Sequence, residues 1–435
     1  MQIALAQNNL LRPGVAQQAG DRPEWEDMAR PQELFLARSE TSDKVAVPVL
    51  SGRAPGEVMV RRLTLADFRS YASLDLSVDA RLVVLTGENG AGKTNLLEAL
   101  SLFSPGRGLR RAELCEFARV GGGGGFAVSA EIETSQGVMR LGTGIEPQGD
   151  LPVQRKYRIN REAAASIRAV CNYLRVVWLT PAMDGLFSGP AGDRRRFLDR
   201  LVLAIDTGHG ARVNAFERAL RSRNRLLEDG PAADQRWLDA IEKEAAELAV
   251  AIAAARAETV SKLSALIAET RDNASAFPWA DLALEGDVER LIGSRPAVEA
   301  EDIYRSMLLE NRSRDARAGR TLIGPHAAEL CVRHGPKQIL AAQASTGEQK
   351  ALLAGLVLAH ARLVAAVSGL APLVLLDEIA AHFDPLRRDA LFEALKTLGG
   401  QIWLSGADRT IFRAIQNHAL MLTVTPGAVT FACFG

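Results

Sequence analysis

Residues 87–94 read Gly-Glu-Asn-Gly-Ala-Gly-Lys-Thr and follow closely on the short apolar run of residues 82–85. Glycines at this spacing let consecutive backbone N–H groups surround a phosphate, while the lysine adds positive charge and the threonine hydroxyl is a ligand for magnesium. Such a loop needs a buried strand before it and a helix after it, because the helix N-terminus completes the anion site. The alternative is a glycine-rich turn without a ligand. The complete context favours a nucleotide-binding α/β fold.

The loop also predicts which residues contact the nucleotide. We expect Lys93 to reach the outer phosphates and Thr94 to bind magnesium beside them. The predicted contacts in and after the loop are Gly87, Glu88, Asn89, Gly90, Ala91, Gly92, Lys93, Thr94 and Asn95. The loop therefore predicts a bound nucleotide with Mg²⁺.

Two adjacent acids, Asp377 and Glu378, follow residues 373–376, whose sequence Leu-Val-Leu-Leu is typical of a buried parallel strand. Taken alone, the two acids also fit the exposed end of a strand. Beside a phosphate loop they fit phosphoryl transfer to water, in which Asp377 holds magnesium and Glu378 orients and polarises the attacking water. We therefore predict Glu378 as the catalytic residue, and Thr94 with Asp377 as the metal-binding residues.

A third motif, Ser-Thr-Gly-Glu-Gln at residues 345–349, precedes a long apolar segment that is expected to be a helix. A serine followed three residues later by a glutamate is a capping box, which satisfies backbone amides at a helix N-terminus without any ligand. The same N-terminus can bind a terminal phosphate. The two interpretations are compatible, and we predict nucleotide contacts from Ser345, Gly347 and Gln349.

Together these motifs resemble the ATP-binding cassette superfamily. The resemblance implies an ATPase head with a mixed β-sheet. It also implies an active dimer, in which the serine-glycine signature of one copy closes on the ATP held by the other. Asp384 matches the loop that crosses this dimer interface, and is a further expected nucleotide contact. Ser405, also expected at the nucleotide, stands where many members have a switch histidine and so departs from the wider pattern.

The spacing between the motifs indicates which branch of the superfamily the chain resembles. Lys93 and Ser345 are 252 residues apart, which is more than a transporter subunit inserts and far fewer than the rods of SMC proteins contain. Within that range the chain is similar to the RecF family of recombination and repair ATPases from residue 59 to its end. The segments that carry this resemblance are residues 63–71 (Leu-Thr-Leu-Ala-Asp-Phe-Arg-Ser-Tyr), 92–99 (Gly-Lys-Thr-Asn-Leu-Leu-Glu-Ala), 189–190, 194–199 and 324–326.

This resemblance implies a specific activity. An ATP-driven dimer would clamp gapped or junction DNA and help to load recombinase together with RecO and RecR, and slow ATP hydrolysis would release it. Two other classes stay open as alternatives, a structural DNA-tethering ATPase like an SMC protein and an ATPase subunit of a transporter. The helical insert, of about 120 residues, is too short to form a long rod at 1.5 Å per residue once it folds back on itself.

The period of the hydrophobic pattern divides the chain into regions. Residues 58–185 are rich in strand patterns and form the first part of the head, residues 186–315 have the helical period of an inserted arm, and residues 316–435 form the second part of the head. Residues 1–57 contain five prolines, which interrupt every periodic segment. We interpret them as a disordered extension or a misassigned start, since Met59 directly precedes a strand pattern.

The charges of the chain constrain how it could bind DNA. It has 52 basic and 52 acidic residues, so any nucleic acid must be held by local patches rather than by an overall field. Aromatic residues make up 5% of the chain, which argues for backbone contacts that weaken with salt rather than for base stacking. The predicted DNA contacts are Arg107, Arg110, Arg111, Arg194, Arg195 and Arg196. Two further arginine clusters lie at residues 218–225 and 312–320. Any single one of the four clusters is more typical of a solvated helix face with local acidic partners, although the family resemblance implies that at least one contacts DNA.

The cysteines and the apolar segments predict where the protein works. Its four cysteines are far apart in sequence, which fits neither a zinc site nor a disulfide framework and favours the reducing cytoplasm. The longest apolar stretch, residues 351–376, contains His360, Arg362 and Pro372. A membrane span there would place a charge and a helix breaker in hydrocarbon, so we predict no membrane partner.

Overall fold

The described structure begins just before the strand-rich region. The computed structural model describes residues 56–147, 154–230, 234–272 and 275–431, so nearly all of the predicted extension, residues 1–57, lies outside the described residues. Gly56 pairs with Leu370 in a β-bridge, and Val58 is buried. The three residues before Met59 therefore already belong to the packed structure.

The strands occur before and after the helical insert, with one strand inside it. In chain order they are β1 (Met59–Phe68), β2 (Tyr71–Ser77), β3 (Leu82–Thr86), β4 (Phe126–Thr134), β5 (Gly137–Ile145), β6 (Lys156–Ile159), β7 (Glu162–Ala164), β8 (Val176–Leu179), β9 (Ala280–Glu285), β10 (Glu329–His334), β11 (Ile339–Leu340), β12 (Leu373–Leu376), β13 (Ile402–Gly406), β14 (Leu420–Thr425) and β15 (Ala428–Phe431).

Three sheets organise these strands. An antiparallel sheet has the order β2-β1-β4-β5-β6-β7, and a small antiparallel sheet has the order β11-β10-β9. The sheet that contains β3 has the order β15-β14-β3-β13-β12-β8, and it is parallel except for the pair β14 and β15. The predicted α/β fold with a mixed β-sheet is confirmed.

The helices cover the β3 sheet and build the insert. In chain order they are α1 (Lys93–Ser101), α2 (Ile167–Cys171), α3 (Ala191–Ile205), α4 (His209–Glu228), α5 (Gln235–Glu269), α6 (Asp287–Ser294), α7 (Ala297–Glu310), α8 (Arg312–Ala318), α9 (Thr346–Ser368) and α10 (Pro385–Lys396). Among the described helices, α9 alone is long and apolar enough to cross a membrane, and 67% of its most apolar window is buried inside the protein. It is packed as a core helix.

Two hydrophobic cores lie on opposite faces of the parallel sheet. Strand β12 contributes to both, because alternate side chains of a strand point to opposite faces. Val374 and Leu376 join the core formed with α3, α9 and the C-terminal end of α5, whereas Leu373 and Leu375 join the core formed with α1 and the antiparallel sheet. All four residues are at most 1% exposed, which explains why the strand is uniformly apolar.

The insert differs from a purely helical arm in two respects. Strand β9 lies within it and pairs with β10 of the second head region, which the helical period of the surrounding sequence did not predict. In addition, the first helix α3 packs in the head core, while α4, α6 and α7 form a separate core around the N-terminal half of α5. The part of the insert that packs independently of the head therefore begins after α3.

Candidate functional site

The phosphate loop joins the C-terminal end of β3 to the start of α1. All three of its glycines have backbone angles that other residues rarely adopt, with φ of 147° at Gly87, 82° at Gly90 and 110° at Gly92. A Cβ atom on Gly87 would lie 2.3 Å from the carbonyl oxygen of Val424 in β14. Gly87 is therefore required both by its backbone angle and by the close approach of β14.

Lys93 connects the loop to the acid pair. Its side chain is almost completely buried, and its ammonium group donates hydrogen bonds to the carbonyl oxygens of Gly87 at 2.8 Å and Glu88 at 2.9 Å. The same Nζ atom lies 4.0 Å from Oε1 of Glu378. Two motifs that are almost 300 residues apart in sequence thus meet at one lysine.

The order of the strands explains this meeting. Strand β13 pairs in parallel with both β3 and β12, and parallel strands present their carboxyl ends at the same edge of a sheet. The Thr94 hydroxyl donates to the two carboxylate oxygens of Asp377 at 3.0 and 3.1 Å. From β13, the Ser405 hydroxyl donates to Oδ1 of Asp377 at 2.6 Å. The Asp377 carboxylate is therefore held between the hydroxyls of Thr94 and Ser405.

The oxygen atoms at this position fit magnesium. Magnesium prefers hard oxygen ligands and is usually bound by one or two carboxylates, with water and phosphate oxygens completing its shell. Thr94 and Asp377 supply one hydroxyl and one carboxylate at hydrogen-bonding distance from each other. These two residues are the ones that would hold the ion.

Glu378 has an unusual backbone conformation for a residue with a side chain. Its φ is 55°, in the left-handed region, and such strained residues concentrate at functional sites. Its backbone N–H donates to the Ser405 hydroxyl at 3.0 Å, and its side chain is 35% exposed. The Glu378 carboxylate is thus accessible from the site, while the Glu378 backbone is fixed by its hydrogen bond to Ser405.

Ser405 of β13 lies behind the acid pair. It is 1% exposed and contacts both acids, accepting from the Glu378 amide and donating to the Asp377 carboxylate. We assign it a positioning role, and its predicted nucleotide contact stays a prediction. The sequence signal for this role was weak, because only the strand order places β13 between the two motifs.

The signature motif begins helix α9, a few residues earlier than the sequence suggested. Ser345 is the N-cap, and its hydroxyl accepts from the Glu348 amide at 3.4 Å while the Glu348 carboxylate accepts from the Ser345 amide at 3.1 Å. The predicted capping box is therefore present. The Lys337 ammonium, with help from Ser345, lowers the pKa of Glu348 to about 2.

The other signature residues have distinct surroundings. Ser345 is exposed, whereas Gln349 is buried and its side-chain amide donates to the carbonyl oxygens of Ala342 and Ala344 at 3.3 and 2.9 Å. Because these bonds turn Gln349 inward, we assign it to holding the loop before α9. In the described chain, the polar contacts of Ser345 and Gly347 are with their own helix and with α10, not with the phosphate loop.

Asp384 and its neighbours tie the signature to two other elements. Asp384 is the N-cap of α10 and accepts from the Arg387 amide at 3.0 Å, and the Arg387 guanidinium donates to the Gly347 carbonyl at 3.4 Å. On the other side, Lys350 forms an ion pair of 2.8 Å with Asp184, in the loop after β8. The signature is thereby linked to the loop that leads into the insert.

The arginines of the first predicted DNA-binding cluster are exposed. Arg107 forms an ion pair with Glu113, and Arg110 donates to Oδ1 of Asn95 at 2.8 Å, which places it beside the phosphate loop. Arg111 is exposed and has a φ of 57°. These positions are open to a partner, and DNA contact by them stays a prediction.

The second cluster is more deeply integrated into the fold. Arg194 donates to Glu329 at 2.6 and 3.1 Å and to the Gly189 carbonyl at 2.6 Å, while Arg195 donates to the Ala328 carbonyl at 2.9 Å. Arg194 therefore joins α3 to the first residue of β10, and Arg195 joins α3 to the residue just before that strand. Arg196 is exposed and forms an ion pair with Asp193 on the same helix.

The two remaining arginine clusters contain residues that are not solvated. Arg223 of α4 is completely buried and donates to Glu242 at 2.8 Å and to Asp315 at 2.7 Å. Arg312 pairs with the same Glu242 at 2.6 Å. The interpretation of these clusters as solvated helix faces is wrong for Arg223, because the buried acids come from α5 and α8, far away in sequence.

The geometry defines a class of protein, the ATPase head shared by RecF, RecN and SMC proteins. The family model described as the RecF/RecN/SMC N-terminal domain matches residues 59–428. Within this class, the chain belongs to the RecF family. The DNA replication and repair protein RecF of Mesorhizobium japonicum is 53% identical over 375 residues, which are 86% of this chain and 98% of the relative. The Brucella abortus protein of the same name is 53% identical over 379 residues, or 87% and 97% of the two chains.

Solved structures support the same fold. The structure of the recombination mediator protein RecF-ATPrS in the RecFOR pathway is similar, with a TM-score of 0.77 and 17% identity, and the match covers 87% of this chain and all of that chain. The corresponding RecF-ATP structure has a TM-score of 0.72 and 18% identity, with the same coverage.

Proposed function

We propose that this chain is an ATP-dependent DNA-binding protein of replication and recombinational repair. In this proposal an ATP-bound dimer closes on gapped or junction DNA, and slow hydrolysis to ADP and phosphate opens it again. The observation that carries the proposal is the contact between the two motifs, in which the Thr94 hydroxyl meets the Asp377 carboxylate. Membership in the RecF family supplies the role in replication and repair.

The residues divide the ATPase reaction between them. The backbone amides of the loop and Lys93 bind the phosphates, and Glu378 orients a water molecule for attack on the terminal phosphorus, from which ADP then leaves. Magnesium on Thr94 and Asp377 would neutralise the charge of the phosphate oxygens. Glu378 is suited to its task because its side chain is open to the site and lies near Lys93.

The position of the signature motif, away from the phosphate loop of its own chain, supports a dimer. Ser345 is exposed, and the polar contacts of Gly347 are with α10 rather than with the nucleotide loop of its own chain. The Ser345 hydroxyl accepts a hydrogen bond within the capping box but can still donate one, so this exposed helix N-terminus suits a terminal phosphate brought by another molecule. We therefore propose that two copies share two ATP molecules, so that nucleotide binding and association strengthen each other.

The partners of this dimer follow from family membership and from charge. We propose that DNA lies against the exposed arginines, including Arg107, Arg110 and Arg111, and that RecR and RecO are the protein partners in recombinase loading. The solved relative is named as part of a RecFOR pathway, which supports this choice. We propose a cytoplasmic location, since such work on DNA takes place there.

The decisive experiment measures DNA binding against nucleotide state. We expect fluorescence anisotropy of a labelled gapped duplex to rise with protein and ATP, and to rise much less with ADP or without nucleotide. Lys93→Ala is expected to lose the ATP-dependent part, because the phosphates lose their main positive charge. If DNA binding is the same with and without nucleotide and is unchanged in Lys93→Ala, the arginines bind DNA independently of the ATPase. That result would refute the ATP-dependent clamp.

Replacing Ser405 tests how the acids are positioned. We expect Ser405→Ala to lower kcat for ATP hydrolysis by about tenfold, because the Asp377 carboxylate and the Glu378 amide each lose a hydrogen bond. ATP affinity is expected to change little, since Ser405 is buried behind the acids. Steady-state phosphate release and ATP titration measure the two effects. Ser104→Ala, which removes another buried hydroxyl, is the control. Equal losses of kcat in both variants would contradict this role.

A further inference from the structure

A cavity of about 560 Å³ lies between the nucleotide site and the first helix of the insert. Thr94 and Asp377 line it on the nucleotide side, and Arg200 of α3 lines it on the side of the insert. Arg111 and Met183 are part of the same wall. The cavity thus connects the proposed site of the terminal phosphate with the start of the insert.

Arg200, which is half-buried, lacks the ionic partner that such an arginine normally has. Its guanidinium stacks over the rings of Trp178 and Phe197 at 5.0 and 5.2 Å, and Nη2 contacts the Met183 sulfur at 3.2 Å. Among the described residues no carboxylate pairs with it. Loss of water and repulsion from Arg111 lower the pKa of Arg200 to about 9.

Neighbouring arginines of α3 show how different this arrangement is. Arg194 and Arg196 each pair with a carboxylate, Glu329 and Asp193 respectively. An arginine that has lost part of its hydration without gaining an anion is unfavourable. The stacking on two rings holds the guanidinium in place but does not neutralise its charge. Arg200 is therefore a preformed cation that faces a cavity with space for an anion.

The position of the cavity selects the chemistry of that anion. It reaches the Thr94 hydroxyl and the Asp377 carboxylate, the two groups that would hold magnesium beside the terminal phosphate in the proposed function. A tetrahedral phosphoryl group suits the planar, fork-like donors of arginine. Asp193, the other acid in the wall, is already paired with Arg196.

We propose that Arg200 binds the terminal phosphoryl group, as the γ-phosphate of ATP or as the inorganic phosphate that remains beside ADP after hydrolysis. This inference rests on the proposed function. Because Arg200 belongs to α3, which leads into the insert, its charge would report the state of the nucleotide to the insert. The residue thereby distinguishes ATP from ADP, in addition to the contacts of the phosphate loop.

Arg200→Met tests this inference, because methionine keeps the apolar stem over the two rings and removes the charge. We expect the affinity for ATPγS to fall by about tenfold, the size of a modest charge-assisted hydrogen bond, while ADP affinity stays within about twofold. The two sources of phosphate are separated by a second titration, of inorganic phosphate into the protein saturated with ADP. If phosphate raises the melting temperature of the parent and not of Arg200→Met, inorganic phosphate is a ligand of Arg200. If phosphate does not raise the melting temperature of the parent, the ligand is the γ-phosphate of bound ATP.

The stability of the nucleotide-free variant separates this role from a structural one. An arginine kept for its ligand destabilises the free protein, so Arg200→Met is expected to melt at the same or a higher temperature than the parent. Arg221→Met removes an exposed arginine of α4 and serves as the control. An unchanged ratio of ATPγS to ADP affinity in Arg200→Met would overturn the inference while leaving the proposed function intact. A parent that fails to bind ATPγS would overturn both.

Discussion

Glu378→Gln is expected to slow ATP hydrolysis by about a hundredfold or more, which is the usual contribution of a positioned general base. The amide has the shape of the carboxylate but cannot polarise the attacking water by its charge. The left-handed backbone at this residue is held by Ser405, which the substitution leaves in place. The variant should therefore still bind ATP and dimerise, and it should persist on gapped DNA once bound.

Two measurements on the same preparation check this prediction. Phosphate release gives the hydrolysis rate, and dissociation of a labelled gapped duplex after dilution gives the residence time. Glu393→Gln, which changes a 72% exposed carboxylate of α10, is the matched control and is expected to behave like the parent. Equal residence times for Glu378→Gln and the parent would show that hydrolysis does not time release from DNA.

Arg223→Met is expected to lower the free energy of unfolding by about 3–5 kcal/mol, because it leaves a buried carboxylate without its cation. Asp315 is completely buried and its ion pair is with Arg223 at 2.7 Å. The second acid, Glu242, keeps its pair with Arg312. The guanidinium also donates to the Leu308 carbonyl at 2.7 Å, so a backbone acceptor loses its partner as well.

Urea denaturation followed by circular dichroism measures this loss. The exposed Arg221 lies two residues earlier on the same helix, and Arg221→Met should change stability by less than about 0.5 kcal/mol. Combining Arg223→Met with Asp315→Asn should recover part of the loss, since the remaining side chain is then neutral. If Arg223→Met is as stable as Arg221→Met, the buried network does not stabilise the insert.

The nucleotide site could be predicted from sequence because its chemistry is local. The phosphate loop and the acid pair each follow directly from the strand that presents them, β3 or β12. The capping box at Ser345 was likewise contained in a few consecutive residues. In these cases one short segment holds both the element and the functional groups, so spacing along the chain predicts geometry.

The contacts that the sequence did not predict all depend on packing between distant segments. Strand β9 has neither a long alternation nor a neighbouring strand in sequence, and its partner β10 lies more than forty residues away. Ser405 reaches the acids only because β13 lies between β3 and β12. Arg223 looked like part of a charge run, and its burial results from how α4 packs against α5 and α8, which composition does not determine. No sequence pattern singled out Arg200, whose ring contacts depend on how α3 packs beside β8.

Helix α5 gives the protein a mechanical property of its own. It has 35 residues, so it is about 52 Å long at 1.5 Å per residue. Its C-terminal end, with Leu263 and Ile267, packs in the core beside the nucleotide-bearing sheet, and its N-terminal half packs in the separate core of the insert. Since one continuous rod crosses both cores, a tilt of about 10° at the sheet would swing the far end by roughly 9 Å. A small rearrangement at the sheet would thus be enlarged, at the far end of this helix, into a movement the size of a side chain or more.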